Sequence, residues 1–419
     1  MEVIHDYAAE NSQDNEDRIT SLPNDIKQMI LDHLSLKEVV STSVLSQDWR
    51  YIWRFRSKFF LDDHTFPDII NAVNQILSVH EGDIDTFFAI GNDEEDVDED
   101  EENFFLDISS QVINSWLDCL ADAKVQNLKL RFKTENILLI SSSLFRCDRL
   151  ITLDLGYIKL VLPQSFNEFR SLTIINFKFI FISSPDLERL IKSCPLLNNL
   201  KLHYIYCVIL NIHSPNLKYL KVSGYYSCLN LNETPMVTDA SISTILFHTN
   251  CDFTNVLHNL TGVKALDLKM NIIRFLKLGN GMKFNNMEKF KVSLVSDCKK
   301  DTEIIISILR CSPVLDCFHI QSWVKGTCFQ DIEQFWNDLI DFKLNRLKIF
   351  SIYNIWKIKA ELRFIEFVLR NAPLLEQFHM NLLYPLRGLD DEFYEEQIMS
   401  FPKASTRITF CFNCLHMLQ

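Results

Sequence analysis

The chain has 419 residues, 47% hydrophobic and 23% charged with only 9 Gly, a composition that reads as soluble and folded. That length suits two domains or one elongated one. A net charge of −13 opposes approach to nucleic acid, and no apolar run reaches the ~20 residues of a membrane helix.

Residues 1–17 are polar and acidic and read as a disordered tail, not as the basic and then apolar segments of a signal peptide. The stretch from Leu22 to Trp53, LPNDIKQMILDHLSLKEVVSTSVLSQDWRYIW, predicts three short helices. Pro23 suits the first helical position. Ile26, Met29, Ile30 and Leu34 then fall on one face of the first helix. A second helix starts at Leu36 with Val39, Val40 and Val44 apolar. Ser46 caps a third, with Asp48 in its first turn and Trp49, Ile52 and Trp53 as its stripe. Some forty residues cannot bury this much apolar surface alone, so part of it is available to another surface.

Leu22-Pro23, Ile30 to Leu34, Leu36 to Val40, and Ser43 to Ser46 followed by Trp49-Arg50 and Trp53 carry a close resemblance to an F-box. The resemblance implies that residues 18–60 dock the SKP-type adaptor of a cullin–RING ubiquitin ligase, and that the remainder selects a substrate. Leu22, Pro23, Ile26, Ile30, Leu31, Leu34, Val39, Leu45 and Trp49 are the residues it implies for the adaptor contact, some of them doubling as internal core.

Residues 61–102 read as a connector ending in the acidic block 93–102, DEEDVDEDEE, a solvated loop. Beyond it the pattern apolar-x-x-apolar-x-apolar recurs, starting at Val125, Leu150, Leu172, Leu197, Leu217, Ile242, Val263, Met287, Leu315, Leu347 and Leu375. Pro195, Pro215, Pro313 and Pro373 each stand two residues ahead of a first position. In three repeats the Pro follows a helical run, where it ends the helix and returns the chain extended. A strand followed by a helix or loop at this period is the leucine-rich-repeat layout. The expected fold is therefore α/β, an F-box followed by an irregular solenoid with a parallel concave sheet, repeats over 103–345 and a C-terminal region over 346–419. That last region, through Glu361 to Glu376 and Phe401 to Ser405, resembles the FBD segment closing many plant F-box/LRR proteins.

Residues alternating with the apolar positions face solvent on the concave side. They include Lys129, Arg131, Lys178, Lys201, Lys221, Lys269, Lys289 and Lys291, against Asp154 and Asp267, with His203, His248, His319 and His379 beside them. A face of one sign attracts partners of the other. The expected ligand is an acidic or phosphorylated protein segment or a small anion, although Lys is also an ordinary solvent-facing strand residue. Asp93 to Glu102 could fold back toward Lys129 and Arg131. The spread of basic residues without an Arg run argues against nucleic acid.

Twelve cysteines scatter singly, as expected of small buried residues in the nucleus or cytoplasm, and the lone CxxC at Cys411 and Cys414 does not make a zinc site. No phosphate loop, nucleophile elbow or HExxH is found, so neither catalysis nor a cofactor is expected. Three roles remain: a ligase substrate adaptor, a scaffold without ubiquitin transfer, and an anion-sensing receptor.

Overall fold

The computed structural model describes residues 19, 21–44, 47, 49–91, 105–140, 142–245, 253, 255–279, 281–295, 299–323, 336, 342–356, 359–382 and 391–412. Leu45, Ser46, Asp48, His248 and the acidic block lie outside them. The three short helices are α1 (Asn24–Asp32), α2 (Leu36–Ser41) and α3 (Trp49–Ile52). Pro23 sits at the N-cap of α1, one position earlier than expected, with φ −56°. At α2, Ser35 and Glu38 close a reciprocal capping box, which satisfies two orphan N–H groups. The Ser35 hydrogen bonds lower the Glu38 carboxyl below its ordinary range.

From there the chain winds as β1 (Lys58–Asp62), α4 (Ile69–Val79), β2 (Thr86–Gly91), α5 (Ser110–Asp122), β3 (Asn127–Phe132), β4 (Leu138–Ile140), β5 (Thr152–Leu160) and β6 (Ile174–Phe181). Next come α6 (Ser184–Lys192), β7 (Asn199–Tyr206), β8 (Ile209–His213), β9 (Tyr219–Tyr225), β10 (Cys228–Asn232), β11 (Asp239–Thr244), α7 (Val256–Asn259) and β12 (Ala265–Met270). The coil closes with β13 (Lys289–Val295), α8 (Lys299–Arg310), β14 (Cys317–Trp323), β15 (Ile349–Ile355), helix Lys359–Asn371, β16 (Gln377–Leu382), helix Asp391–Ser400 and β17 (Thr409–Phe412). One ladder runs β1-β2-β3-β5-β6-β7-β9-β11-β12-β13-β14-β15-β16-β17, parallel throughout, while β8 and β10 pair separately. The ladder thus begins ahead of the expected start at 103, and the interval read as connector supplies β2 and the end of β1.

Register explains the repeat. Leu128, Leu153, Ile175, Leu200, Leu220, Ala240, Leu266, Phe290, Phe318, Phe350, Phe378 and Phe410 are successive partners in one row. In the second half that row is phenylalanine because stacked rings tile the strand spacing: Phe290 and Phe318 lie 5.5 Å apart, Phe318 and Phe350 5.6 Å. Before each strand of the main ladder from β5 to β16 an N–H three residues on closes a turn, as in Leu197 to Cys194 and Leu217 to Ser214. Pro195 and Pro215 occupy the second turn position, which their φ favours. The same turn links Val237 to Thr234. That corrects one register: the repeat placed at Ile242 starts at Val237, with Ala240 and Ile242 in the core. Pro235, two residues before Val237, is a fifth instance of the marker.

Convex helices start alike. Asp186, Asp301 and Glu361 each hold the third position of their helix, in the first turn where negative charge suits the dipole. Glu361 is 1% exposed and accepts from the Trp356 N–H and the Ser322 hydroxyl. Arg56, also buried, donates to the Leu34 carbonyl at 2.8 Å, and Leu36 packs into the solenoid core, so the helical unit is joined to β1 by contacts as well as by chain. Burial lowers the Arg56 pKa, against the opposing charge of Asp32.

Candidate functional site

The helical unit divides its apolar residues between two faces of α1. Leu31, Val39, Trp49 and Ile52 form its private core, with Leu34 and Trp53 packed against it and the Lys27 ammonium 5.8 Å from the Trp49 ring. Leu31 and Trp49 are 1% and 2% exposed and Val39 is fully buried. These three expected contact residues are therefore internal, and Leu34 is half-buried beside them. Turned the other way are Ile26, Met29 and Ile30, at i, i+3 and i+4, exposed by 41%, 60% and 39%. Val40 and Val44 are exposed as well, Pro23 is exposed and Leu22 half-buried. The expected contact set omits Met29, Val40 and Val44, although Met29 falls on the helix face that carries Ile26 and Ile30.

Across the concave sheet one outward row reads Lys129, Asp154, Asn176, Lys201, Lys221, Ser241, Asp267, Lys291, His319. Its basic character is uneven. Arg131 is buried, donating from Nε to Asp154 Oδ1 at 2.7 Å and from Nη2 to Oδ2 at 3.1 Å. Asn176 adds a third donor to that carboxylate at 2.9 Å. Arg131 is thus a structural cation, and its expected place on a ligand surface is corrected. Lys178 is buried too, 5.9 Å from the Tyr157 ring, and Lys269 lies 3.3 Å from Asp267. Lys129 is half-buried on β3.

Lys201, Lys221, Lys289 and Lys291 gather around a hollow of about 350 Å³ over β11 and β12. Small residues make it: Ser241 and Ala265 stand where neighbouring strands present Tyr219, Lys221, Lys289 and Lys291. Lys201 and Lys221 rim one side, Lys289 and Lys291 the other. On its floor Asp267 Oδ2 accepts from the Ser241 hydroxyl at 3.1 Å, while Oδ1 is buried with no hydrogen-bond partner among the described residues. His319, beside Lys291, lies 2.9 Å from the Cys317 sulfur through Nε2. Burial, then the Lys291 charge, lower its pKa to about 4, so it is neutral at pH 7.

A second feature gave no sequence signal. Tyr157, Phe179, Tyr204 and Asn354 hold positive φ of 60°, 54°, 51° and 57°, each four residues after the second apolar position of its repeat. Gly224, φ 146°, continues the series. Left-handed backbone costs an L-residue about 1–2 kcal/mol, partly offset here by stacking. The Tyr157 and Phe179 rings lie 5.0 Å apart, Phe179 and Tyr204 4.5 Å, separations worth roughly 0.5–1.5 kcal/mol per pair. Phe181, Tyr206 and Tyr225 form a parallel stack at 4.5 and 4.8 Å. Tyr204 and Tyr225 remain 41% and 39% exposed.

Seven described cysteines are free thiols, Cys147 and Cys194 with pKa pushed up to about 12 by burial, whereas Cys411 is disulfide-bonded. Among the described residues no helix is long and apolar enough to cross a membrane, and no three His, Cys, Asp or Glu gather as a metal site.

Comparison with known proteins gives two family matches: an F-box domain over residues 19–61, and the LRR repeats of the FBD-associated F-box protein At5g56370 over residues 113–320. The F-box/FBD/LRR-repeat protein At1g13570 of Arabidopsis thaliana is 26% identical over 423 residues, covering 94% of this chain and 98% of its own. The FBD-associated F-box protein At5g56370, from the same plant, is 26% identical across 71% of this chain and 73% of its own. The putative F-box/FBD/LRR-repeat protein At2g05300 of Arabidopsis thaliana reaches 31%, over 48% of this chain and 45% of its own.

Proposed function

As the chain belongs to the plant F-box/FBD/LRR-repeat family, we propose that it is the substrate-recognition subunit of an SCF-type cullin–RING ubiquitin ligase. The F-box docks an SKP-type adaptor, and through it cullin and RING subunits; the solenoid holds a protein substrate. One observation carries the reading. Ile26, Met29, Ile30, Val40 and Val44 are exposed on a helical unit that builds its core from other residues, Leu31, Val39, Trp49 and Ile52. Apolar side chains left outside a satisfied core are surplus to folding and suit a partner surface.

In this role the chain contributes no bond-making chemistry. It raises the effective concentration of a substrate lysine near the charged ubiquitin-conjugating enzyme, turning a bimolecular encounter into one within a complex. The concave face, with Lys201, Lys221, Lys289 and Lys291 unburied around one hollow, supports an acidic or phosphorylated segment as the element recognised.

The test is reconstitution of the full chain with purified adaptor and cullin, wild type beside Ile26→Glu/Ile30→Glu. Both positions are exposed, so the variant should keep its circular dichroism and lose the adaptor. Assembly of the wild type alone supports the adaptor role. Equal recovery of both proteins, or of neither, removes it.

A further inference from the structure

We propose that the hollow over β11 and β12 is a docking site for an extended peptide segment with anionic side chains at positions i and i+4 and a hydrogen-bond donor at i+2. This deepens the reading of the solenoid as the substrate-binding part and rests on it. The argument is one of spacing. Lys221, Ser241, Asp267 and Lys291 are consecutive register partners on β9, β11, β12 and β13. Three strand separations of ~4.8 Å put the two lysines ~14 Å apart. An extended chain crossing the sheet advances ~3.4 Å per residue, so four residues also cover ~14 Å. Side chains at i, i+2 and i+4 share one face of such a chain, and all three can therefore point into the sheet together.

Charge follows the same order. Lys201 stands beside Lys221 and Lys289 is on the strand of Lys291, so each end of the row presents two ammonium groups. Between them Asp267 is engaged through Oδ2 by Ser241 and by the Lys269 ammonium, while its Oδ1 is buried without a hydrogen-bond partner among the described residues and is short of a donor. A buried acceptor left unpaired is destabilising and favours a ligand that supplies the donor. A plain polyanion would meet Asp239 and Asp267 at the middle of the hollow, which selects an anion–donor–anion order over bulk negative charge. Tyr219, half exposed in the same lining and two residues from Lys221 on β9, adds an aromatic ring at that end of the row.

The probe is a fluorescein-labelled Gly/Ser peptide with Glu at i and i+4 and Lys at i+2, titrated by anisotropy into the full-length protein. Comparison peptides place the two Glu at i and i+1, replace the central Lys by Glu, or carry phosphoserine in place of Glu. The i, i+4 peptide should bind at least tenfold tighter than either rearranged one, with affinity falling as salt rises. Lys221→Glu and Lys291→Glu should each weaken it at least tenfold, whereas Lys192→Glu on α6, away from the sheet, should not. Tighter binding of the phosphoserine peptide assigns the anion as phosphoryl, and equal or weaker binding as carboxylate. Equal affinity for both spacings, or no binding by wild type, overturns the proposal. Adaptor recovery by the same preparation is scored separately, so a failed hollow and a failed F-box reading are told apart.

Discussion

Asp154→Ala tests whether the Arg131 cluster is structural. Asp154 accepts two hydrogen bonds from Arg131 and one from Asn176, and the two ion-pair side chains are 9% and 11% exposed. Removing the carboxylate leaves a guanidinium in a buried site without its counter-charge, a change that costs about 3–5 kcal/mol. Arg131→Leu/Asp154→Leu removes both charges and fills the site with carbon, so its cost should be small, within about 1 kcal/mol of wild type. The assay is urea unfolding followed by hydrogen exchange at β3, β5 and β6, because a solenoid stacks nearest-neighbour units and need not unfold in one step. Protection in those strands should collapse in the single variant and persist in the double one. If Asp154→Ala loses less than about 1 kcal/mol, Arg131 is solvated in solution and belongs with the exposed lysines of the concave face after all.

Other outcomes follow from the same geometry. His319 has a pKa lowered to about 4 by burial, then by Lys291; against ~6.5 in the unfolded chain, the unfolded state binds the extra proton between pH 6.5 and 4. Stability should therefore be full above pH 6.5 and fall by about 3 kcal/mol as pH drops to 4, a slope that His319→Gln flattens in a pH series of urea midpoints. At Gly224 a Cβ would sit 2.3 Å from the Ile205 carbonyl oxygen at φ 146°, so Gly224→Ala should destabilise by well over about 1 kcal/mol and release protection locally at β7 and β9. Phe318→Ala opens the ring ladder between Phe290 and Phe350 and should cost about 3–5 kcal/mol, whereas the isolated exposed change Met29→Ala should leave unfolding unmoved.

The repeat was legible because its causes are local. An apolar residue at each of three offsets and a Pro at the turn state the strand and its direction, and in ten of the eleven patterns those three offsets are the buried positions. The eleventh failed where the third offset is occupied by Ile242 but the second by Ala240, a residue too small to register as core. Pro235, at the second position of the turn from Thr234 to Val237, marks the true start of that repeat. The positive-φ positions could not be read: Tyr157, Phe179 and Tyr204 look like ordinary strand aromatics, and Asn354 and Gly224 hold the same place without a ring, at register shifts that appear only once the strands are paired. The same limit held for site residues. Periodicity places Leu31 and Ile30 near each other on α1, yet only the packing of α3 decides that Leu31 is core and Ile30 surface.

How the helical unit joins the sheet bears directly on what an adaptor of this kind can achieve. Arg56 bonds the Leu34 carbonyl, the Glu81 N–H bonds the Arg54 carbonyl, and Leu36 enters the solenoid core. Seven strand steps separate β1 from β11 along the ladder, so at ~4.8 Å each the hollow lies about 34 Å from the first strand. A flexible tether of that reach would spread a bound substrate over a large volume and dilute it accordingly. A packed junction would instead hold a peptide bound at the proposed site at one distance and bearing from the F-box. Arg56→Ala, which removes the bond to Leu34 from a residue 4% exposed, should loosen that bearing while leaving adaptor and peptide affinities unchanged. Ubiquitin transfer in a reconstituted ligase should then spread over more substrate lysines. An unchanged lysine pattern would mean that Leu36 and the Glu81–Arg54 backbone bond hold the junction without Arg56.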